Sequence, residues 1–166
     1  MYLQEPWDLT CGSCSMEFQM SDTSAPTLEE AFPIPGSDEE PNSLRMLGWK
    51  LLDWDAEAQK IKVGFETRKE FRNPGGVIQG GIIAAMIDDA FGPMCILASG
   101  RTKRPLTLDL TVSYLAAGNH GKFTCEARII RQGKSISFVE GELFDATGEL
   151  VARATSTVRL VPMQPR

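Results

Sequence analysis

The sequence predicts an α+β fold, an antiparallel β-sheet wrapped around one long central helix, and three observations predict it. A single apolar run long enough for several helical turns extends from Ile82 to about Ser99. Two strand-like runs come before it and four after it, each bounded by turn residues. A helix this apolar has to be covered, and laying it on a sheet is the arrangement that covers it.

In chain order, residues 1–45 are rich in Ser, Thr, Pro, Asp and Glu and bury too little apolar surface to fold alone. They read as an acidic N-terminal extension packing on a body of residues 46–166. Within the extension, "APTLEEAF" spaces Thr27 and Glu30 as a capping box, enough for a helical turn or two. The runs "RMLGWKLLDWD" and "QKIKVGFET", separated by "AEA", predict a hairpin. "RKEFRNPGGVIQ" is a loop, because Pro74 disfavours helix before it and Gly75–Gly76 loosen the backbone. After the helix, strands are expected at about residues 105–115, 121–131, 134–145 and 149–161, as a four-strand meander. Their turns "AAGNHG", "RQGK" and "DATGE" carry the Gly or Asn that hairpins demand. "SISFVEGELF" alternates apolar and polar residues with period two.

Composition narrows the function classes. A chain of 166 residues with 42% hydrophobic and 23% charged residues is ordinary for a soluble globular domain. No apolar run is read as reaching the roughly 18–20 residues of a membrane span, so no membrane partner is expected. The start "MYLQEPWDLTCG" lacks the basic and apolar regions of a secretory signal. The net charge of −5 is uneven: residues 1–45 hold nine acids and one base, residues 46–166 thirteen acids and sixteen bases. A mildly basic body with an acidic arm is not a nucleic-acid binder, which shows a basic patch and a much higher pI. It is compatible with a small anionic ligand. Cys11 and Cys14 form "CGSC", but zinc needs four ligands and the chain's one histidine, His120, lies far away in a Gly/Asn turn. A redox pair would want the motif between a strand and a helix. Cys95 and Cys125 read as small core residues. The set fits a reducing, cytoplasmic compartment, with no metal or redox cofactor expected.

The stretch "NPGGVIQGGIIAAMIDDAFG", Asn73 to Gly92, holds the candidate site. At 100° per residue, Gly81, Ala84, Ala85, Asp88, Gly92 and Cys95 share one side of the helix, while Ile83, Met86, Ile87, Ala90, Met94 and Leu97 share the other. The large residues are the core stripe. The small face lets a backbone or ligand approach, and Asp88 projects from its middle. Asp89 points elsewhere, near Ile82, Pro93 and Ile96, and Pro93 should bend or break the helix. Gly80 and Gly81 stand at the helix start, where free N–H groups and the positive end of the dipole gather. Without a Cβ in the way, an oxygen reaches those amides, which makes a carbonyl-polarising site. Gly80 and Asp88 lie about 12 Å apart along the axis at 1.5 Å per residue. One carbonyl group cannot easily touch both within a single chain. If both act on one substrate, the carboxylate comes from a second copy.

The segment "N-P-G-G-V-I-Q-G-G-I-I-A-A-M-I-D" resembles the signature of the hotdog-fold acyl-CoA thioesterases of the PaaI type. In that family an Asn-x-x-G-x-x-H-G-G segment leads into the central helix, with an Asp nine residues after the His. Asn73, Gly76, Gly80, Gly81 and Asp88 match it in type and spacing. "LTLDLTVSYLAAG" resembles the family's strand after the helix, and the likeness covers about residues 46–161. It implies a catalytic set of Asp88, Asn73, Gly80, Gln79 and Thr107. Gly80 would offer its N–H to the thioester carbonyl, Asn73 would hold the attacking water or the substrate oxygen, and Asp88 of the partner subunit would serve as general base or nucleophile. Thr107 falls where relatives carry a Ser or Thr that helps position the water or the carboxylate. Gln79 stands where the family has His, and an amide donates a hydrogen bond without shuttling protons. Gly81, Arg131 and Lys134 are candidate substrate contacts, the last two for the phosphates of coenzyme A. The implied protein is a homo-oligomer, a dimer or dimer of dimers, hydrolysing acyl-CoA. A non-catalytic acyl-CoA binding or sensing protein on the same fold, and a hydratase or dehydratase, are the alternatives.

Overall fold

The computed structural model describes residues 43–163. The "CGSC" motif and the Thr27–Glu30 capping box lie outside the described residues. The elements are helix α1 (Ser43–Met46), β1 (Lys50–Asp55), β2 (Lys60–Glu66), a 3-10 turn (Lys69–Phe71), helix α2 (Gly80–Ala98), β3 (Lys103–Tyr114), β4 (Lys122–Gln132), β5 (Ile136–Asp145) and β6 (Leu150–Pro162). All six strands form one sheet in the order β1-β2-β4-β5-β6-β3, with every neighbouring pair antiparallel. Helix α2 lies against it, which is the hotdog arrangement.

Each local structure follows from its residues. The first expected strand begins later than its apolar pattern suggests, because residues 43–46 close a helical turn. Gly48, with φ +65°, ends that turn: its N–H donates to Arg45 O and the N–H of Trp49 to Leu44 O, the paired bonds of a left-handed helix stop. The β1–β2 hairpin turns where Asp55 Oδ1 accepts the N–H groups of Glu57 at 3.0 Å and Ala58 at 2.8 Å. The strands after α2 do not form a meander in sequence order. β3 pairs with β6 at the sheet edge, and β4 sits between β2 and β5. The crossing connection is tied down by Thr67, whose hydroxyl accepts the Gly121 N–H at 2.9 Å and whose N–H donates to Gly121 O at 2.8 Å.

The core is the expected stripe of α2 set against the sheet. Met86, Ile87, Ala90 and Met94 are wholly buried with Val63, Cys125, Val139, Leu143 and Val151. Cys95, on the small side of the wheel yet expected in the core, is also wholly buried. Burial pushes its thiol up to about 12. Gly141 of β5 marks how closely helix and sheet approach: a Cβ there would lie 2.9 Å from the Phe91 ring.

One expectation about α2 is corrected. The helix is 19 residues long with a mean hydropathy of 1.6, so by length and composition it is apolar enough to cross a bilayer, whereas no run was read as reaching that length. Here it is the central helix of the domain core. The helix also runs through Pro93 unbroken to Ala98. Proline cannot donate to the carbonyl four residues back, that of Asp89. The indole Nε1 of Trp49 donates to Asp89 O instead, at 3.1 Å, so the carbonyl that Pro93 orphans is satisfied from β1's approach segment.

Candidate active site

The helix start is built by a tight turn. Asn73 N–H donates to Val77 O at 2.8 Å and Gly76 N–H to Asn73 O at 2.9 Å, while Arg72 and Ile78 bridge across the turn. The Asn73 side chain is folded inward, and its Oδ1 is buried without a hydrogen-bond partner. A buried carbonyl oxygen left open this way is costly unless something donates to it. A Cβ on Gly75 would come within 3.1 Å of that oxygen, so the small neighbour leaves it room. Glu70, Phe71, Arg72, Asn73, Pro74, Gln79 and Ile82 line a cleft beside it.

Gln79 occupies the N-cap position but its side chain caps nothing. Its backbone does the work of opening the helix, with N–H donated to Phe71 O at 2.8 Å and carbonyl accepting from Ile82 at 2.9 Å. The opening amides of a helix have no acceptor four residues back. Those of Gly80 and Gly81 donate, among the described residues, to no backbone carbonyl. The two glycines differ in their surroundings. A Cβ on Gly80 would lie 3.3 Å from the Tyr114 ring, a tight contact that the ring would have to yield to by a few tenths of an ångström. A Cβ on Gly81 would meet nothing within 4 Å, and Gly81 is exposed with no left-handed φ. Neither space nor backbone conformation demands glycine at 81; what its absence of side chain provides is access to the backbone.

Two turns along the helix, Asp88 accepts a hydrogen bond from Thr107 Oγ1 at 2.9 Å. The structure therefore forms two groups on one helix face. Asn73, Gln79, Gly80 and Gly81 gather at the N-terminus, and Asp88 with Thr107 lies about 12 Å along the axis. Arg131 and Lys134 join neither group. They lie at the β4–β5 turn, where Lys134 O accepts from Lys103 Nζ at 2.8 Å, beside the segment that follows the helix C-terminus.

Sequence reasoning passed over Tyr114. Its hydroxyl donates to Gly80 O at 3.0 Å. Thr107 and Tyr114 are seven residues apart, an odd interval that places side chains on opposite faces of a regular strand. A bulge between Thr107 and Asp109 breaks the alternation, with Leu108 as the extra residue. Both side chains then face the helix. The uneven spacing is visible in the sequence, but only the pairing with β6 reveals the bulge.

Asp89 has partners other than those of Asp88. Its Oδ1 accepts from Ser43 Oγ at 3.2 Å and its Oδ2 is buried without a partner. Desolvation pushes its carboxyl up to about 6, with the Ser43 hydrogen bond opposing and the Asp88 charge adding to the rise.

Comparison with known proteins converges on one family. Residues 75–152 match the model of the Thioesterase superfamily. A protein of Saccharolobus solfataricus carrying an esterase assignment is 36% identical over 110 residues, covering 66% of this chain and 76% of its own. The medium/long-chain acyl-CoA thioesterase YigI of Escherichia coli is 25% identical over 126 residues, covering 68% and 81%. Among solved structures, a phenylacetic acid degradation-related protein of Ralstonia eutropha superposes with a TM-score of 0.69 at 31% identity, covering 75% of this chain and 93% of that one. A Streptococcus mutans protein bound to acetyl CoA shares the fold, with a TM-score of 0.62 at 19% identity and coverage of 70% and 91%.

Proposed function

This chain belongs to the thioesterase superfamily and is a thioester hydrolase, and from that premise we propose that it converts an acyl-CoA to free acid and coenzyme A at sites shared between subunits. The Gly80 amide, at the positive end of α2, holds the thioester carbonyl and receives its negative charge as the tetrahedral intermediate forms. The buried, unpartnered Asn73 Oδ1 accepts a hydrogen bond from the attacking water, and the Gln79 amide donates to the substrate. Asp88 of the second subunit takes the water's proton as hydroxide adds to the carbonyl carbon. When the intermediate collapses, the carbon–sulfur bond breaks and the thiolate of coenzyme A leaves with that proton. Thr107 fixes the carboxylate's orientation by occupying one oxygen. Arg131 and Lys134 meet the phosphates of coenzyme A, and a homodimer is the smallest assembly that completes the site.

The observation that carries this reading is the pairing of the uncapped Gly80 and Gly81 amides, the second residue exposed, with a Thr107-held carboxylate on the same helix face. Thiol release from a panel of acyl-CoAs, wild type against Asp88→Asn, tests it: the variant should lose about 100- to 10,000-fold in rate. Equal rates would remove Asp88 from the chemistry. Mixing Asp88→Asn subunits with subunits blocked at Gly81 by a bulky side chain tests the sharing. Recovery of part of the activity is expected, and none would place both groups' work within one chain.

A further inference from the structure

We infer that Tyr114 is a positioning residue for this hydrolysis: by donating to the Gly80 carbonyl it orients and polarises the Gly80–Gly81 peptide, making the Gly81 N–H a second oxyanion donor beside that of Gly80. The inference rests on the acyl-CoA reading above and extends it to a residue that neither the motif nor the comparisons single out.

Three observations support it. The Tyr114 hydroxyl lies 3.0 Å from Gly80 O, and its ring covers the space where a Gly80 side chain would be. The Gly80 carbonyl and the Gly81 N–H are the two ends of one planar, conjugated peptide group. Drawing electron density toward the oxygen makes the N–H at the other end a stronger donor, as in any chain of hydrogen bonds. Finally, Gly81 is exposed, and among the described residues its N–H donates to no backbone carbonyl. Two successive glycines have the loosest backbone available, and the Gln79 side chain does not cap the helix. As the first residue of α2, Gly80 already turns its carbonyl along the helix toward the amide four residues on, and the Tyr114 hydroxyl adds a second donor to the same oxygen. The Leu108 bulge makes that bond possible, because it turns Tyr114 to the helix side of β3 together with Thr107.

Tyr114→Phe keeps the ring over Gly80 and removes only the hydroxyl. Losing an oxyanion donor outright costs about 100- to 1,000-fold; losing its polarisation should lower kcat by about three- to tenfold, with KM within about twofold and the thermal midpoint unchanged. A ¹³C=O-labelled acyl-CoA bound to Asp88→Asn, where turnover is slow, gives the matching spectroscopic signature. Its carbonyl stretch should move back toward the solution frequency when Tyr114→Phe is added. Gly80→Ala displaces the ring and should reproduce both effects, and combined with Tyr114→Phe it should add little more. An unchanged kcat and carbonyl band in Tyr114→Phe overturns the inference, as does a loss that appears equally in KM and thermal midpoint, or full additivity with Gly80→Ala. The acyl-CoA reading fails separately: it falls, and this inference with it, if wild type releases no thiol from any acyl-CoA or if Asp88→Asn is fully active. With an inactive Asp88→Asn and a wild-type-like Tyr114→Phe, only the role of Tyr114 is lost.

Discussion

The two faces of α2 follow different rules. Toward β5, Ile87 and Phe91 are packed to the point where Gly141 has no room for a methyl group, and Met86 and Ala90 beside them are wholly buried. Toward β3, the helix presents Gly80 and Asp88, each held by one hydrogen bond, from Tyr114 and Thr107 respectively. The strand that covers this face has no buried residue along its twelve, and Leu108 on it is 57% exposed. The core face gains stability from apolar burial. The other face gives up that burial and keeps backbone and carboxylate reachable. Glycine appears at both ends of this contrast in opposite surroundings: at 141 a side chain has no room, at 81 it would meet nothing.

Substitutions should separate the faces. The largest effect belongs to Asp88→Asn, which should abolish most thioester hydrolysis while leaving the unfolding midpoint near wild type, since no apolar packing depends on it. Gly141→Ala should do the reverse. Its Cβ would sit 2.9 Å from Phe91, and overpacking of this kind costs about 1–3 kcal/mol. Denaturant unfolding should show that loss, with kcat per folded molecule retained; a stability equal to wild type would mean that helix and sheet part freely enough to admit the methyl group.

Asp89 stands at the boundary between the faces and links stability to pH. Its carboxyl is raised from an ordinary 3.8 to about 6, so between those values the folded state binds more protons than the unfolded chain. Stability from this group is fully present below about pH 3.8 and is lost as pH rises through 6. Asp89→Asn should flatten that window and raise stability at neutral pH by about 1 kcal/mol, a figure reduced for partial solvation of the carboxyl. Urea midpoints measured across the pH range would decide, and an unaltered profile in the variant would assign the dependence to another group.

The smallest energetic change is the sharpest test of the accessible face. Gly81→Ala meets no neighbour and replaces glycine within a helix, so it should stabilise the protein by about 0.5–1 kcal/mol. Thioester hydrolysis should fall nevertheless, because the methyl group screens the amide. A variant that is both more stable and fully active would show that glycine at 81 serves neither packing nor access.

Much of this was legible in the residues themselves. The 3.6-residue repeat of Ile83, Met86, Ile87, Ala90 and Met94 identified the core stripe, and the Gly-rich turn before it marked the helix start. The same periodicity separated Asp88 from Asp89. Strand positions followed from alternation and turn residues, each within a few residues of where they lie. The order of the strands did not follow, since β3 has the same local pattern whether it pairs with β4 or with β6.

By itself, then, the chain determines what repeats along it: which helix face is apolar, where glycines open the backbone, and how far Asp88 stands from Gly80. Only the tertiary structure decides what depends on contact between distant segments. Trp49 satisfying the carbonyl that Pro93 orphans, Gly141 yielding to Phe91, and the Leu108 bulge turning Thr107 and Tyr114 to one side are all of this kind. The reason is physical. Periodicity is a local property of the backbone, whereas a bulge, a crossing strand or a rescued carbonyl exists only once a second segment has supplied the partner.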